Sequence, residues 1–418
     1  MQNEKKYFQN VADLLNSASL QNLKILNMNL IWCRIDDDKL PILGAAIANC
    51  NNISTLVLEM GQNSIIDEGV SAIATSLALF NNLNSLELNL SQCSIGEEGI
   101  SCLFSALSQI KNVTDLKLSF QGNLIHDEGV TGLVSYFDRF TNLQKMTLQL
   151  GHNQIGVKGA INLGQSLEKC SKLQHLILEL QWNKINDEGL ICLSKSLANI
   201  SNLSTFVLNL FKNNIQSNGV SSLGVGLSKI SKLQNLDLQL CLNEIKDEDL
   251  LAISSALSHC VTLSALVLDF SWNKIGGKEE SLLSQLNFTR FSNLTLNLSE
   301  SKIGPQGILG LSTGLTSCVN IQNLQLILVR NNLGNEGALI LGNSIGLCKN
   351  LQTLTLQLDD NNILDDGIKS LVNGLAICEK LSGLSLYANL NDITPQIQSK
   401  STSKISKIKS LVNKNIFF

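Results

Sequence analysis

Apolar and polar residues alternate in short runs along this chain, and the run returns every 30 residues. In residues 176–180 every second residue is Leu, and this alternation predicts a β-strand with one buried face. Ile185 follows in the turn, and then Leu190, Leu193 and Leu197 lie at helical spacing. Each copy of the pattern therefore predicts a strand, a turn and a helix.

One position marks the same point of every copy, and it is usually Asn. The series begins at Cys33 and is shortened by two residues once, after Asn273, where the segment 276–280 (GGKEE) replaces the usual helix start. We expect a local kink there, between Ser271 and Leu298. The members that follow Cys33 are Asn63, Cys93, Asn123, Asn153, Asn183, Asn213, Asn243, Asn273, Ser301, Asn331, Asn361 and Asn391.

Such a unit cannot bury its apolar face alone, so the copies must stack on one another around a continuous core. About 13 repeats over residues 21–394 should form an α/β solenoid curved into a horseshoe, with a parallel sheet on the concave face and helices on the convex face. Residues 1–20 are expected to cap its N-terminal end.

The repeat resembles the ribonuclease-inhibitor type of leucine-rich repeat, which also occurs in Ran GTPase-activating proteins and in the sensor ends of NOD-like receptors. The resemblance covers about residues 20–394 and implies the same horseshoe fold. The pattern Leu173-x-x-Leu176-x-Leu178-x-Leu180-x-x-Asn183 departs from that family by one extra x-L step. We therefore expect a strand face about two residues longer.

Charge gives no overall preference for nucleic acid or for an anionic membrane, because 31 basic residues oppose 35 acidic ones and the formal net charge is −4. The N-terminal segment lacks an apolar stretch of signal-peptide length, and no run of about 18 apolar residues occurs. We expect a cytoplasmic monomer without nucleic-acid or membrane partners, apart from a weak membrane contact through its basic C-terminal tail.

Eleven cysteines would suit a disulfide framework in a secreted protein. Six of them, however, share one repeat position with Phe80 and Ile110, which predicts small core side chains with reduced thiols. Adjacent members of this column should lie at a helix packing distance of roughly 8–10 Å, beyond the ~7 Å Cα limit for a disulfide. The six are Cys50, Cys170, Cys260, Cys318, Cys348 and Cys378.

Acidic residues recur where each helix begins, as in Asp127-Glu128-Gly129, and could be interpreted as carboxylate ligands for calcium. Helix chemistry explains them better: Asp is a favoured N-cap, Glu complements the helix dipole and Gly permits close backbone approach. The asparagine series is likewise expected to point inward and satisfy loop backbone groups. No metal-binding spacing and no catalytic motif is present, so we predict neither a cofactor nor a catalytic residue.

Side chains between the inward leucines must face the concave side, and they predict a partner-binding surface. Three positions of the repeat lie just before the marker position. The wall column is four residues before it, the first exit column is two residues before it, and the second exit column is one residue before it. All three tryptophans of the protein stand in the second exit column. The predicted contact residues are Trp32, Glu179, Trp182, Phe211, Lys212, Asp237, Leu242, Asp269 and Trp272.

Two interpretations of the tryptophans remain open. Exposed aromatic side chains on a rigid wall are typical of interface hot spots. Alternatively, each Trp lies flat over the neighbouring turn and stabilises it without touching a partner.

A second, charged patch is predicted near the C-terminal end of the arc, although plain solvation also explains it. It comprises Arg330, Asp359, Asp360 and Tyr387.

The segment 395–418 forms a basic tail with no acidic residue. Ile405, Ile408, Leu411 and Val412 fit an amphipathic helix, which would cap the exposed last repeat or anchor the protein to a membrane or a partner. Its lysines are Lys400, Lys404, Lys407, Lys409 and Lys414.

These features favour a non-catalytic scaffold that binds a protein partner on its concave face. An alternative is a GTPase-activating regulator similar to the Ran-directed proteins, for which Arg34 and Arg330 are the only arginines at strand exits. A third alternative is the repeat portion of a kinase-linked or NOD-like sensor architecture.

Overall fold

A computed structural model describes residues 5–17, 20–50, 52–275 and 289–418. The chain divides into two compact units, Met1–Asn214 and Ile215–Phe418. Both units are built from the predicted strand-turn-helix repeat.

In the first unit, parallel strands pair in chain order, each with the strand of the next repeat. The strands are β1 Lys5–Phe8, β2 Ile25–Asn29, β3 Thr55–Glu59, β4 Ser85–Asn89, β5 Asp115–Ser119, β6 Lys145–Gln149, β7 His175–Glu179 and β8 Thr205–Asn209. The helices are α1 Val11–Leu15, α2 Leu40–Ala48, α3 Asp67–Leu77, α4 Glu97–Leu107, α5 His126–Leu133, α6 Val157–Leu167 and α7 Asn186–Leu197, with 3-10 turns at Leu20–Asn22 and Phe137–Arg139.

The second unit has the same parallel, sequential pairing. Its strands are β9 Asn235–Gln239, β10 Ala265–Asp269, β11 Asn293–Asn297, β12 Asn323–Ile327, β13 Thr353–Gln357, β14 Gly383–Tyr387 and β15 Asn413–Phe417. Its helices are α8 Ser217–Ser228, α9 Asp247–His259, α10 Gly304–Thr316, α11 Gly334–Gly346, α12 Asp365–Leu375 and α13 Pro395–Ile405.

The core lies between the sheet and the helices, as the apolar pattern predicts. Leu176, Leu178 and Leu180 are fully buried, as are Leu190 and Leu193 from the inner side of α7. The side chains between the strand leucines are partly exposed on the other face of the sheet. The structure therefore has the fold of an α/β repeat solenoid.

Hydrogen bonding between repeats continues beyond the strands. The backbone N–H of Leu180 donates to the carbonyl of Asn209, and that of Trp182 donates to the carbonyl of Phe211, both at 2.8 Å. Backbone pairing between repeats thus continues up to the second exit column, although β7 itself has five residues. That the strand face is longer than in the ribonuclease-inhibitor type stays a prediction.

The marker asparagines have the predicted structural role. Asn153 is fully buried, and its Nδ2 donates to the carbonyls of Phe120, Leu150 and Gly151 at 2.9–3.1 Å. Its Oδ1 accepts from the N–H of Ile125 in the preceding repeat. Because each side chain satisfies backbone groups of two repeats, the series fastens neighbouring loops together.

The prediction that Asp caps its own helix is wrong. The N-cap position of α3 is Ile66, whose own side chain makes no capping hydrogen bond and whose backbone N–H donates to Asp37 Oδ1 of the preceding repeat at 3.1 Å. Asp67 lies instead in the first turn, and its Oδ1 accepts from the N–H of Gly96, the N-cap residue of α4, at 2.6 Å. The carboxylate thus satisfies the start of the next helix, because stacking brings residues about one repeat apart into contact.

The six cysteines of the shared column are buried and all have free thiols, as expected. Burial raises the pKa of the thiol to about 12 for Cys170, Cys318 and Cys348. The pKa rises for the same reason to about 11 for Cys50, Cys260 and Cys378. These side chains act as small apolar groups.

The predicted kink at residues 276–280 lies outside the described residues. The strands on both sides are described, and Ala265–Asp269 pairs with Asn293–Asn297 residue for residue. The two-residue deletion therefore leaves the strand register unchanged.

Both ends of the described chain add strands to the repeat pattern. Lys5–Phe8 forms β1, which pairs with β2, within the segment predicted as the N-terminal cap. In the basic tail, α13 ends at Ile405, so the predicted helix is wrong for Ile408, Leu411 and Val412. Residues 413–417 form β15 instead, which pairs with β14 in the register of the other repeats.

Candidate functional site

The second exit column has one unusual backbone conformation in all its members. Each has a positive φ, between 51° and 71°. Such φ values are uncommon for residues other than Gly; Gly122 adopts them without strain, and His152 and Asp360 are of types that adopt them more often than most. The residues are Trp32, Gln62, Gln92, Gly122, His152, Trp182, Lys212, Leu242, Trp272, Glu300, Arg330, Asp360 and Leu390.

Hydrogen bonds to the next repeat help to hold this conformation. The N–H of Trp182 donates to Phe211, and the N–H of Trp272 donates to the carbonyl of Ser299 at 2.9 Å. The side chain thus begins from a fixed backbone geometry at the end of the sheet. Sequence reasoning missed this feature, for which a single Gly in the column was the only signal.

In the first unit, Trp182 is the centre of an aromatic stack. His152 lies parallel to it, with ring centroids 5.0 Å apart, and Phe211 meets it edge-on at 5.6 Å. The Nζ of Lys212 lies 3.6 Å from the centroid of the Trp182 ring, a cation–π contact. The structure therefore brings together the predicted residues Trp182, Phe211 and Lys212. It adds His152, which stands in the second exit column one repeat before Trp182. Trp182 remains 40% exposed.

Trp32 is the most exposed of the tryptophans, at 73%. It borders a cavity of about 420 Å³ that is also lined by Arg34, Asp36 and Gln62. Lys39 Nζ lies 2.9 Å from Asp36 Oδ2, and this ion pair lowers the pKa of the Asp36 carboxyl. The cavity therefore offers an aromatic surface beside charged groups of both signs.

In the second unit, Trp272 is 52% exposed and Leu242 is partly exposed. Cys241, in the first exit column, is also partly exposed. Both exit columns of this unit therefore present apolar surface.

The predicted wall acids are engaged by the neighbouring strand. Glu179 Oε2 accepts from Asn209 Nδ2, and Asp269 Oδ2 accepts from Asn297 Nδ2, both at 2.9 Å. Asp269 Oδ1 also accepts from the N–H and the hydroxyl of Ser271. These carboxylates thus connect adjacent repeats. Asp237 is partly exposed on β9.

In the charged patch, Arg330 joins two acidic residues of its own column. Its Nη1 donates to Glu300 Oε1 and its Nε donates to Asp360 Oδ2, both at 2.9 Å. These bonds, with Glu300 first, raise the pKa of the guanidinium. Sequence reasoning missed Glu300, although it stands one repeat before Arg330 in the same column.

The other two residues of the patch also have structural partners. Asp359 Oδ1 accepts from the N–H and the Nδ2 of Asn389, at 2.7 and 2.6 Å. The ring of Tyr387 stacks on that of Phe417 with centroids 5.1 Å apart. Much of the hydrogen-bonding capacity of this patch is therefore used within the protein.

Metal-binding clusters and membrane-spanning helices are both absent from the described ranges. These ranges contain no group of three or more His, Cys, Asp or Glu side chains arranged to hold a metal ion. None of their helices combines the length and the apolar character needed to cross a bilayer.

Comparison with known proteins identifies the repeat. A family model described as "Leucine Rich repeat" matches residues 82–104, 142–164, 169–194, 207–224 and 350–372. No curated protein matches the sequence.

Two solved structures are similar to this chain at low sequence identity. A leucine-rich-repeat protein of Leptospira interrogans is 17% identical, with a TM-score of 0.49 and coverage of 99% of this chain and 100% of that one. A chain of the yeast Rad7–Elc1 complex is 16% identical, with a TM-score of 0.48 and coverage of 88% and 81%. The family model thus matches five separate segments of this chain, which is similar there to leucine-rich repeats and whose strands pair in parallel and in chain order.

Proposed function

We propose that this protein is a non-catalytic recognition scaffold that binds a protein partner through its exit columns. The observation that carries the proposal concerns Trp32, Trp182 and Trp272. All three are exposed, stand at the same repeat position and have the same positive φ. A large aromatic side chain that is held in place before binding loses little conformational entropy when a partner covers it. Such residues contribute most to interface energies.

The competing role, turn packing, has support at Trp182. Its contacts with His152, Phe211 and Lys212 should contribute roughly 1 kcal/mol each to stability. Trp32 and Trp272 are more exposed, and no ring contact accompanies them in the described structure. The two roles therefore make different predictions at different tryptophans.

The test begins with affinity purification to identify a partner, which is then produced in pure form. Binding is measured by calorimetry for the wild type, Trp272→Ala and Trp182→Ala, and thermal unfolding is followed in parallel. We expect Trp272→Ala to weaken binding about 30-fold or more with little change in Tm, because a hot-spot side chain contributes about 2 kcal/mol. Trp182→Ala should weaken binding and also lower Tm.

Gln92→Ala is the matched control, because Gln92 stands in the same column with the same positive φ but offers no aromatic surface. It should leave the Kd within about threefold of wild type. If all three variants bind the partner equally well while Trp182→Ala lowers Tm, the tryptophans are turn-packing residues and the proposal is wrong.

A GTPase-activating role has weaker support. An arginine that acts on a bound nucleotide must be free to reach it, whereas Arg330 is held by Glu300 and Asp360. Arg34 is exposed beside Trp32. A single-turnover GTP hydrolysis assay with a panel of small GTPases tests this role, and acceleration that is lost in Arg34→Ala would support it over pure scaffolding.

A further inference from the structure

Positive charge is concentrated at one end of the chain. Residues 394–418 contain five lysines and no acidic residue, although the whole chain has 31 basic and 35 acidic residues. The preceding residues therefore carry nine more acidic than basic side chains. This segregation does not follow from the repeat, since lysine is not required at any of its positions.

The structure gathers these lysines around the return from α13 to β15. Lys404 lies in the last turn of α13, and Lys407 and Lys409 follow it; all three are exposed. Lys414, in β15, donates from Nζ to the hydroxyl of Ser406 at 2.7 Å, which places it against the end of α13. Within the described part of the chain, none of these lysines forms an ion pair with an acidic residue.

Apolar side chains lie between these lysines. Ile408 and Leu411, which follow α13, are partly exposed. Val412 is 80% exposed. We call residues 404–414 the basic-apolar return.

Val412 is not explained by the repeat, because its position is polar in the earlier repeats. The strand entry there holds Lys24, Ser54, Asn84, Thr114, Gln144, Gln174, Ser204, Gln234, Ser264, Ser292, Gln322, Gln352 and Ser382.

A cavity of about 350 Å³ adjoins the return, between α12 and α13. Lys369, Lys400 and Lys404 line it, together with the apolar side chains of Val372 and Ile397. Lys369 is paired with Asp366 at 2.9 Å, and Lys404 donates to Asn373. Cationic side chains over an apolar floor suit a negatively charged headgroup with attached hydrocarbon.

We propose that the basic-apolar return binds the surface of an anionic lipid bilayer. Lysines next to a membrane are attracted by acidic headgroups, and exposed apolar side chains among them enter the interface. A nucleic acid is a poorer match, because residues 394–414 contain neither arginine nor an aromatic side chain for stacking on bases. This function is independent of the proposed protein recognition, which uses other residues.

The test is co-sedimentation of the full chain with vesicles. We expect binding to vesicles of phosphatidylcholine with about 30% phosphatidylserine, little binding to pure phosphatidylcholine, and a loss of binding as salt is raised, since the attraction is screened. Lys407→Glu with Lys409→Glu should reduce the partition coefficient at least tenfold. Val412→Asn should reduce it severalfold without changing the charge.

The matched control is Lys229→Glu with Lys349→Glu, which makes the same charge change at the same two repeat positions in other repeats. This control should keep its binding within about twofold of wild type, and circular dichroism should show every variant folded. Equal losses in the control and in the tail variant would mean that net charge alone acts, and the proposal would be wrong. Sedimentation that shows dimers in wild type and monomers in Val412→Asn would overturn it too, because the occupant would then be a second copy of this chain.

Discussion

At the scale of single residues, the most consequential side chains act on the backbone of a neighbouring repeat. Asn153 donates to three carbonyls at 2.9–3.1 Å, whereas the Cys93 thiol at the same repeat position reaches only the carbonyls of Met60 and Ser91, at the longer distances of 3.9 and 3.7 Å. The Cys93 sulfur lies near backbone N–H groups of Asn63 and Ile65, yet burial outweighs them and raises the pKa of its thiol. A thiol therefore fills the space of the Asn side chain but is a poor hydrogen-bonding partner for the loop backbone.

We predict that Asn153→Ala lowers the free energy of unfolding by about 3 kcal/mol, because several buried backbone groups lose their partner. Cys93→Asn should raise it by about 1 kcal/mol, because an amide oxygen can accept from the N–H groups that now face sulfur. Urea denaturation measures both changes. A loss below about 1 kcal/mol in Asn153→Ala would show that water replaces the amide.

The cysteines give a second prediction at this scale. A thiol whose pKa is raised to about 11 or 12 stays protonated at pH 8, and the protonated form is unreactive. A thiol reagent added to the folded protein at pH 8 should label the exposed Cys33 and Cys102 first. The six cysteines of the buried column should react only after unfolding, as peptide mass spectrometry will show. Labelling of Cys170 in the folded protein would contradict this prediction.

At the scale of secondary-structure elements, several helix starts depend on a side chain of the helix or turn in the preceding repeat. Asp127 Oδ1 accepts from the N–H of Gly156 at 2.6 Å and from that of Gly159 at 2.9 Å. Gly159 is required for this arrangement, because an added Cβ would stand 2.6 Å from the same oxygen. The Asp of one repeat and the Gly of the next thus form one capping unit across the helix interface.

Asp127→Ala should therefore destabilise the protein by about 1–2 kcal/mol, the usual effect of removing a helix cap. Its neighbour Glu128 provides the control: its carboxylate is exposed and lies 3.7 Å from Lys158 Nζ, so Glu128→Ala should cost less than about 0.5 kcal/mol. Thermal unfolding compares the two, and equal effects would refute the cross-repeat cap.

At the scale of the whole molecule, most described packing joins an element to its counterpart in the next repeat. Stability in such a chain is approximately a sum of repeat and interface contributions. The chain should therefore tolerate the loss of one complete repeat better than the loss of part of one.

Deleting residues 154–183 joins Asn153 to Lys184 and preserves the repeat, so we expect a folded protein with helical circular dichroism and a cooperative transition. Deleting residues 154–168 removes half a repeat and places a strand where a helix must pack, so this variant should be largely unfolded. If the two deletions behave alike, stability does not depend on repeat register.

The sequence by itself determined the period, the fold class, the buried columns and the inward asparagines, because each follows from apolar spacing within one copy. Residues 395–417 were harder to predict. Lys414 occupies the position of Leu384 and interrupts the apolar alternation that indicates a strand.

Only the tertiary structure decided which side chains form hydrogen bonds or ion pairs with neighbouring repeats. The hydrogen bonds of Glu179 with Asn209 and of Arg330 with Glu300 join residues 30 apart. The positive φ of the second exit column likewise accompanies backbone hydrogen bonds to the next repeat. Polar side chains on the sheet look alike in sequence whether they face solvent or a neighbour. The physical reason is that stacking distance, and not sequence distance, sets which groups can exchange hydrogen bonds.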